Sequence, residues 1–177
     1  MKTKVLYALW GCLGLFCACI SEKESDEPRA DVVHVGDSLP DFSVEMDNGK
    51  VVASRNLRGK VTFIVFFNTS CTDCRKELPV VQQVYDRYGD NGRMEFVPVS
   101  REEEAASVSR YWAEHGLTLP FSAQADRAVY NLFAFSSIPR IYITDTASVV
   151  RYVHKDSPLA TFEELVHEVE QLLPITE

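Results

Sequence analysis

The spacing of apolar positions changes several times along the chain, and each change marks an element. Val61–Phe67 is seven residues, six of them apolar and without alternation, as expected of a strand covered on both faces. From Thr72 the apolar set moves to Leu78, Val81, Val84, Tyr85 and Tyr88, at spacings of three and four, before Gly89. That is the stripe of an amphipathic helix. Pro79 lies inside it, lacks the N–H for the bond to residue 75, and is expected to kink it.

Upstream, residues 41–45 and 50–54 flank the turn signal Asp47-Asn48-Gly49 and predict a hairpin. Downstream, residues 94–99 form a second apolar run. Ser100-Arg101-Glu102-Glu103 then has the pattern of a capping box and predicts a helix start. Val108, Tyr111, Trp112 and His115 give that helix its inner face, and Gly116 gives it an end. A short helix over 127–133 and strands over 140–144 and 149–154 follow. The last helix is capped by Thr161 with Glu164 and striped by Phe162, Leu165, Val166, Val169, Leu172 and Leu173. This order predicts an α/β fold: a central mixed β-sheet flanked by helices on both faces, with an N-terminal β-hairpin.

The first twenty residues follow another pattern. Lys2 and Lys4 precede an uncharged apolar run from Val5 to Ile20, the layout of a secretory signal and somewhat short for a spanning helix. Three of the five cysteines, Cys12, Cys17 and Cys19, lie in this run. Phe16-Cys17-Ala18-Cys19 resembles a bacterial lipobox, with small Ala18 before the cysteine. Residues 1–18 are therefore expected to be a signal peptide of the lipoprotein type, with Cys19 lipidated; an uncleaved anchor is the plain alternative. Residues 19–32 are polar and acidic, carry no aromatic side chain after Ile20, and predict a flexible tether. Residues 33–177 are long enough for one domain with one core.

Both readings of the leader place the chain outside the cytoplasm, lipid-anchored or otherwise held on a membrane, facing the periplasm or on the outer membrane. The acidic stretch after Cys19 also resembles the surface-export signal of some outer-membrane lipoproteins. The full chain carries a formal charge of −8, and removing residues 1–18 takes away two lysines and leaves −10. Such a domain offers no electrostatic footprint for nucleic acid.

Cys71 and Cys74 alone belong to the folded part. Cys71 sits where the buried strand has ended and the helix begins. First-turn N–H groups and the helix dipole there favour an anionic sulfur. Cys74, one turn deeper on the same side, is expected to be more shielded, which separates an attacking sulfur from a resolving one. A structural zinc site needs four ligands, and His34, His115, His154 and His167 are not spaced to complete one. A purely structural bridge over so short a loop would constrain little of the unfolded chain. Redox chemistry is the reading that fits, with no metal and no bound cofactor beyond a redox-active Cys71–Cys74 disulfide.

Four segments carry a resemblance to a family: VGDSLPDFSV at 35–44, Gly59-Lys60 before the central strand, CTDCRKELP at 71–79 and SSIPRIYIT at 136–144. In this order they are similar to the thioredoxin superfamily, specifically the TlpA/ResA-like membrane-anchored thiol-disulfide oxidoreductases, over residues 33–173. The resemblance implies that Pro139 is a cis-proline beside the sulfurs and that Ile138 presents its backbone to an extended substrate. It implies that Glu77 tunes the protonation of the cysteines. It further implies disulfide-bearing client proteins, a membrane electron donor of the DsbD or CcdA type, and cytochrome c maturation or oxidative-stress defence as the setting.

One position departs from the family. Trp commonly precedes the first cysteine, and here Ser70 stands there. Ser70 is expected to cap the helix that Cys71 begins, and its small side chain opens the substrate groove. Peroxiredoxins of the AhpC/TSA type share the first segment, so a thiol peroxidase is the enzymatic alternative. Their peroxidatic cysteine usually follows a threonine and a proline, and no proline occurs between Pro40 and Pro79. A lipoprotein binding module that kept the fold without catalysis is the alternative outside enzymology.

Overall fold

A computed structural model describes residues 31–173. The signal segment 1–18, the lipidation site Cys19 and the tether as far as residue 30 lie outside the described residues. Asp31 and Val32, assigned by sequence to the tether, already pack on the domain: Asp31 bridges Ala134, and the Val32 N–H donates to the Phe133 carbonyl at 3.0 Å.

The hairpin forms from β1 (Ser43–Glu45) and β2 (Val51–Ala53), antiparallel in the register Val44 to Val52. Its turn holds Gly49 at φ 80, a left-handed conformation that glycine adopts without a steric penalty. Strand β3 (Val61–Phe67) is buried at every position, as its unbroken apolar run predicts. Helix α1 (Thr72–Tyr88) follows and runs through Pro79 as one element.

Strand β4 (Met94–Ser100) pairs parallel to β3, and helix α2 (Ala105–His115) comes next. Strands β5 (Arg140–Thr144) and β6 (Val150–His154) extend the sheet antiparallel, and helix α3 (Phe162–Leu172) closes the chain. The order across the sheet is β4-β3-β5-β6, mixed as expected.

Two expectations about helices need correction. Ser100 does not open α2: it ends β4, paired with Phe67, and its N–H donates to the Ser122 carbonyl at 2.9 Å. The helix instead starts at Ala105 after Glu104, which makes no side-chain cap. The predicted short helix over 127–133 is only a 3-10 turn, Tyr130–Leu132. By contrast, the capping box of α3 is present in full, with Thr161 and Glu164 bonding each other's backbone N–H.

Alternation along β3 sends Phe63 and Phe67 to one face and Phe66 to the other. Phe63 meets Phe96, which Tyr85 of α1 also touches, and Phe67 meets Trp112 of α2. Phe66 packs between Tyr130, Phe133 and Tyr142, and Phe42 before the hairpin reaches the same Phe133 ring. On this second face Tyr130 of the 3-10 turn and Phe133 cover Phe66, and Phe42 backs Phe133. Truncating Phe66 to alanine would cost about 3–5 kcal/mol, because it is fully buried in this aromatic cluster. Among the described residues, no helix is long and apolar enough to cross a membrane.

Candidate active site

The buried strand β3 delivers the chain to the edge of the sheet at Asn68, and the four residues before α1 are fixed there by contacts with the segment after β4. The Asn68 side-chain amide donates to the Arg101 carbonyl at 3.0 Å. The Thr69 N–H donates to Glu103 Oε2 at 2.9 Å, and the Thr69 hydroxyl donates to the other oxygen of the same carboxylate. These bonds join residues 33 and 34 apart in sequence, so the loop's conformation depends on β3–β4 pairing.

Ser70 does not cap α1. Its backbone N–H and hydroxyl both donate to Asn68 Oδ1, at 2.9 and 2.6 Å. The N-cap residue is Cys71 itself, with extended backbone at φ −77 and ψ 125, and its sulfur accepts from the Cys74 N–H at 3.4 Å. The capping position is therefore occupied by the sulfur expected to react. Nearby cations are engaged elsewhere: Lys76 with Asp73 at 2.8 Å, and Arg75 Nε with the Thr69 carbonyl at 2.6 Å.

Both cysteines are free; Cys71 is partly exposed and Cys74 fully buried. Burial, then the contact with Cys71, pushes the Cys74 thiol well above its ordinary value, against the Asn68 backbone and the charge of Arg101. A buried thiol of this kind stays protonated at neutral pH until something takes its proton.

The loop before β5 faces the sulfurs. The Cys71 thiol donates to the Ile138 carbonyl at 3.5 Å, and the Ile138–Pro139 peptide is cis. A second cis peptide, Ser157–Pro158, lies away from the cysteines in the segment before α3.

Sequence reasoning missed what holds the 136–139 loop. Arg140, the first residue of β5, is 1 % exposed; its Nε donates to the Ser137 carbonyl and its Nη2 to Ser136 Oγ, both at 3.0 Å. Asp31 neutralises it at 2.5 Å. Tyr130 donates to the carbonyls of Ser136 and Ser137, and Arg101 donates to Ser136 at 3.3 Å while stacking on the Tyr130 ring at 4.5 Å. The signal available was a guanidinium at the first position of an otherwise apolar strand, since arginine is rarely buried without partners.

Glu77, one turn past Cys74, is 2 % exposed, and its Oε2 has no hydrogen-bond partner. Burial pushes its carboxyl up to about 7, opposed by the Ala160 N–H and by His154 and assisted by Glu164.

Geometry thus places a partly exposed thiol, a buried partner thiol and a buried carboxyl at three-residue intervals from the start of α1, with a backbone carbonyl from a tightly held loop at the first thiol. The chain is similar to known proteins in sequence and in fold. A family model described as AhpC/TSA family matches residues 35–153. The chain is 29 % identical over 156 residues to the thiol-disulfide oxidoreductase ResA of Bacillus subtilis, covering 86 % of this chain and 83 % of that protein. ResA of Geobacillus thermodenitrificans is 26 % identical over 176 residues, with 98 % and 95 % covered. Among solved structures, a thiol:disulfide interchange protein of the thioredoxin family from Chlorobium tepidum superposes with a TM-score of 0.68 at 23 % identity, covering 80 % of this chain and 99 % of that one. StoA from Bacillus subtilis gives 0.60 at 20 % identity, covering 73 % and 96 %. The last two establish a thioredoxin-like fold.

Proposed function

The chain belongs to the AhpC/TSA family, and from its similarity to ResA we propose that it is a thiol-disulfide oxidoreductase that reduces disulfides in client proteins through Cys71 and Cys74. The observation that carries the reading is the asymmetry of the pair: Cys71 partly exposed at the N-cap of α1, Cys74 fully buried one turn behind it.

In the proposed cycle the Cys71 thiolate attacks one sulfur of a client disulfide. A Cys71–client bond forms, the client S–S bond breaks, and the released client sulfur takes up a proton. Cys74, deprotonated, then attacks Cys71; the mixed disulfide breaks and the second client sulfur leaves as a thiol. Two electrons have moved to the client, and a Cys71–Cys74 disulfide remains for a dithiol donor to reduce. The Ile138 carbonyl, 3.5 Å from Cys71, marks where an extended client backbone would lie. Glu77 is the carboxyl next to the buried thiol, and Ser70 leaves the groove without an aromatic wall.

The leader pattern supports the rest of the reading. Lipidated at Cys19, the domain would hang from a membrane outside the cytoplasm and meet a donor of the DsbD or CcdA type. Cytochrome c maturation and oxidative-stress defence are the proposed settings. Fractionation tests the location: a Cys19→Ala variant would leave the membrane fraction or keep its signal peptide.

A thiol peroxidase is the second reading, favoured by the family description that the chain matches. Insulin reduction by the dithiol form and peroxide consumption with a dithiol donor separate the two. Rapid insulin reduction with negligible peroxide turnover supports the oxidoreductase. The reverse supports the peroxidase, and inactivity in both supports a binding module.

A further inference from the structure

A second cluster of titratable side chains joins the end of β6 to α3. Glu164 and Glu168 lie four apart on α3 and share a face, a like-charge arrangement that costs a few tenths of a kcal/mol by itself. His154, the last residue of β6, approaches Glu168 to 2.7 Å, and the ligand atoms of His154, Glu164 and Glu168 all lie within 4.8 Å of one another. His154 and Glu168 are 14 % and 12 % exposed, while Glu164 faces solvent.

A third carboxylate comes at this cluster from the interior. Glu77 Oε2 is buried without a hydrogen-bond partner, and His154 and Glu164 are the charged side chains that act on it. Two carboxylates therefore meet at one imidazole, and Glu77, buried on α1, lies within electrostatic range of it. The neighbouring cations Lys155 and Arg87 are committed to Asp31 and Glu170.

We infer that His154, Glu164 and Glu168 form a binding site for one divalent transition-metal ion of the zinc type, with the Glu77 carboxylate as a counter-charge behind it. Donor chemistry selects the class. One imidazole and two or three carboxylates at bond lengths of about 2.0–2.2 Å suit zinc, whereas calcium requires six or more oxygens. Four ligands around zinc stand roughly 3.3 Å apart, and these three ligand atoms already lie within 4.8 Å of one another. The exposed Glu164 side leaves an entry path and room for water. A cation there cancels the repulsion along α3 and ties β6 to α3. This site uses neither cysteine and stands independently of the redox reading.

Zinc titration by calorimetry tests it, using the full chain with Cys71→Ser and Cys74→Ser so that the dithiol cannot bind metal. Adding His154→Ala is expected to remove one zinc equivalent, and adding Glu164→Gln to weaken that equivalent at least tenfold. Glu77→Gln is expected to weaken it about tenfold, as loss of an outer-shell partner does. Glutamine at 164 retains the capping box, so this variant keeps α3 intact even if His154→Ala impairs folding. Zinc is also expected to raise the thermal midpoint of the parent and not of the His154→Ala protein. Zinc uptake unchanged by all three substitutions, no uptake by the parent, or calcium binding as tight as zinc would overturn the inference.

Discussion

Two helices in this domain begin in chemically opposite ways. At α3 an oxygen does the capping: Thr161 accepts from the Glu164 N–H at 3.2 Å, and Glu164 returns the bond to the Thr161 N–H. At α1 a sulfur does it, with Cys71 accepting from Cys74 at the longer 3.4 Å. Sulfur is a weak acceptor when neutral and a good one when charged, so the α1 terminus is satisfied best in the reactive state. The acids differ in the same sense. Glu163 and Glu164 sit in solvent in the first turn of α3, where the dipole favours them, while Glu77 is buried one turn into α1. One terminus is built for stability and the other holds its groups in states that change during turnover.

The largest effect comes from exchanging the sulfur for oxygen. Cys71→Ser is expected to abolish insulin reduction while keeping or improving stability by about 0.5–1 kcal/mol, since serine is a good cap for an extended N-cap residue. Urea denaturation beside the activity assay checks this; a marked loss of stability would mean that the sulfur is not the capping atom.

Next comes Glu77. Its carboxyl is raised by burial to about 7 from an ordinary value near 4.5, so the folded state holds a proton that the unfolded state has lost. Its contribution is fully present below pH 4.5 and declines as pH rises towards 7, by on the order of 3 kcal/mol. Glu77→Gln is expected to remove this decline, and with it an inflection near pH 7 in the rate of the resolving step. Denaturation and single-turnover exchange across pH 4–8, with chelator present, would show it. Identical profiles for both proteins would place the titration elsewhere.

Smaller still is Thr161→Ala, which is expected to cost about 1 kcal/mol through loss of the α3 cap, with exchange rates unchanged. Ser70→Ala is expected to stay within about 0.5 kcal/mol, because its hydroxyl makes a solvent-exposed hydrogen bond to Asn68 and caps nothing. An equal loss in both variants would restore Ser70 as a helix cap.

Local patterns were legible wherever they were also the stable choice. The unbroken run at Val61–Phe67 is a strand buried on both faces, the 140–144 strand has the expected limits, and the Thr161–Glu164 box caps α3. The same local signature failed at Ser100, because pairing with Phe67 and bonding to Ser122 hold that residue in the sheet. At the site, CxxC at a strand-to-helix junction was readable from spacing, and so was Ile-Pro before a strand. What fixes them was not. Glu103 on Thr69, Arg140 on Ser136 and Ser137, and Asp31 on Arg140 include contacts between residues up to 109 apart in sequence, which periodicity cannot report. The resemblance singled out Glu77, but its burial, which raises its carboxyl, comes from packing that spacing along α1 does not report.

If the exposed sulfur attacks and the buried one resolves, mixed-disulfide trapping will catch the client on Cys71. Cys74→Ser protein, mixed with an oxidised client and quenched with an alkylating agent, is predicted to accumulate a covalent client adduct on Cys71 that a reductant dissolves. Cys71→Ser protein treated identically is predicted to accumulate no adduct on Cys74. Equal adduct in both variants, or adduct on Cys74 alone, would contradict the assignment.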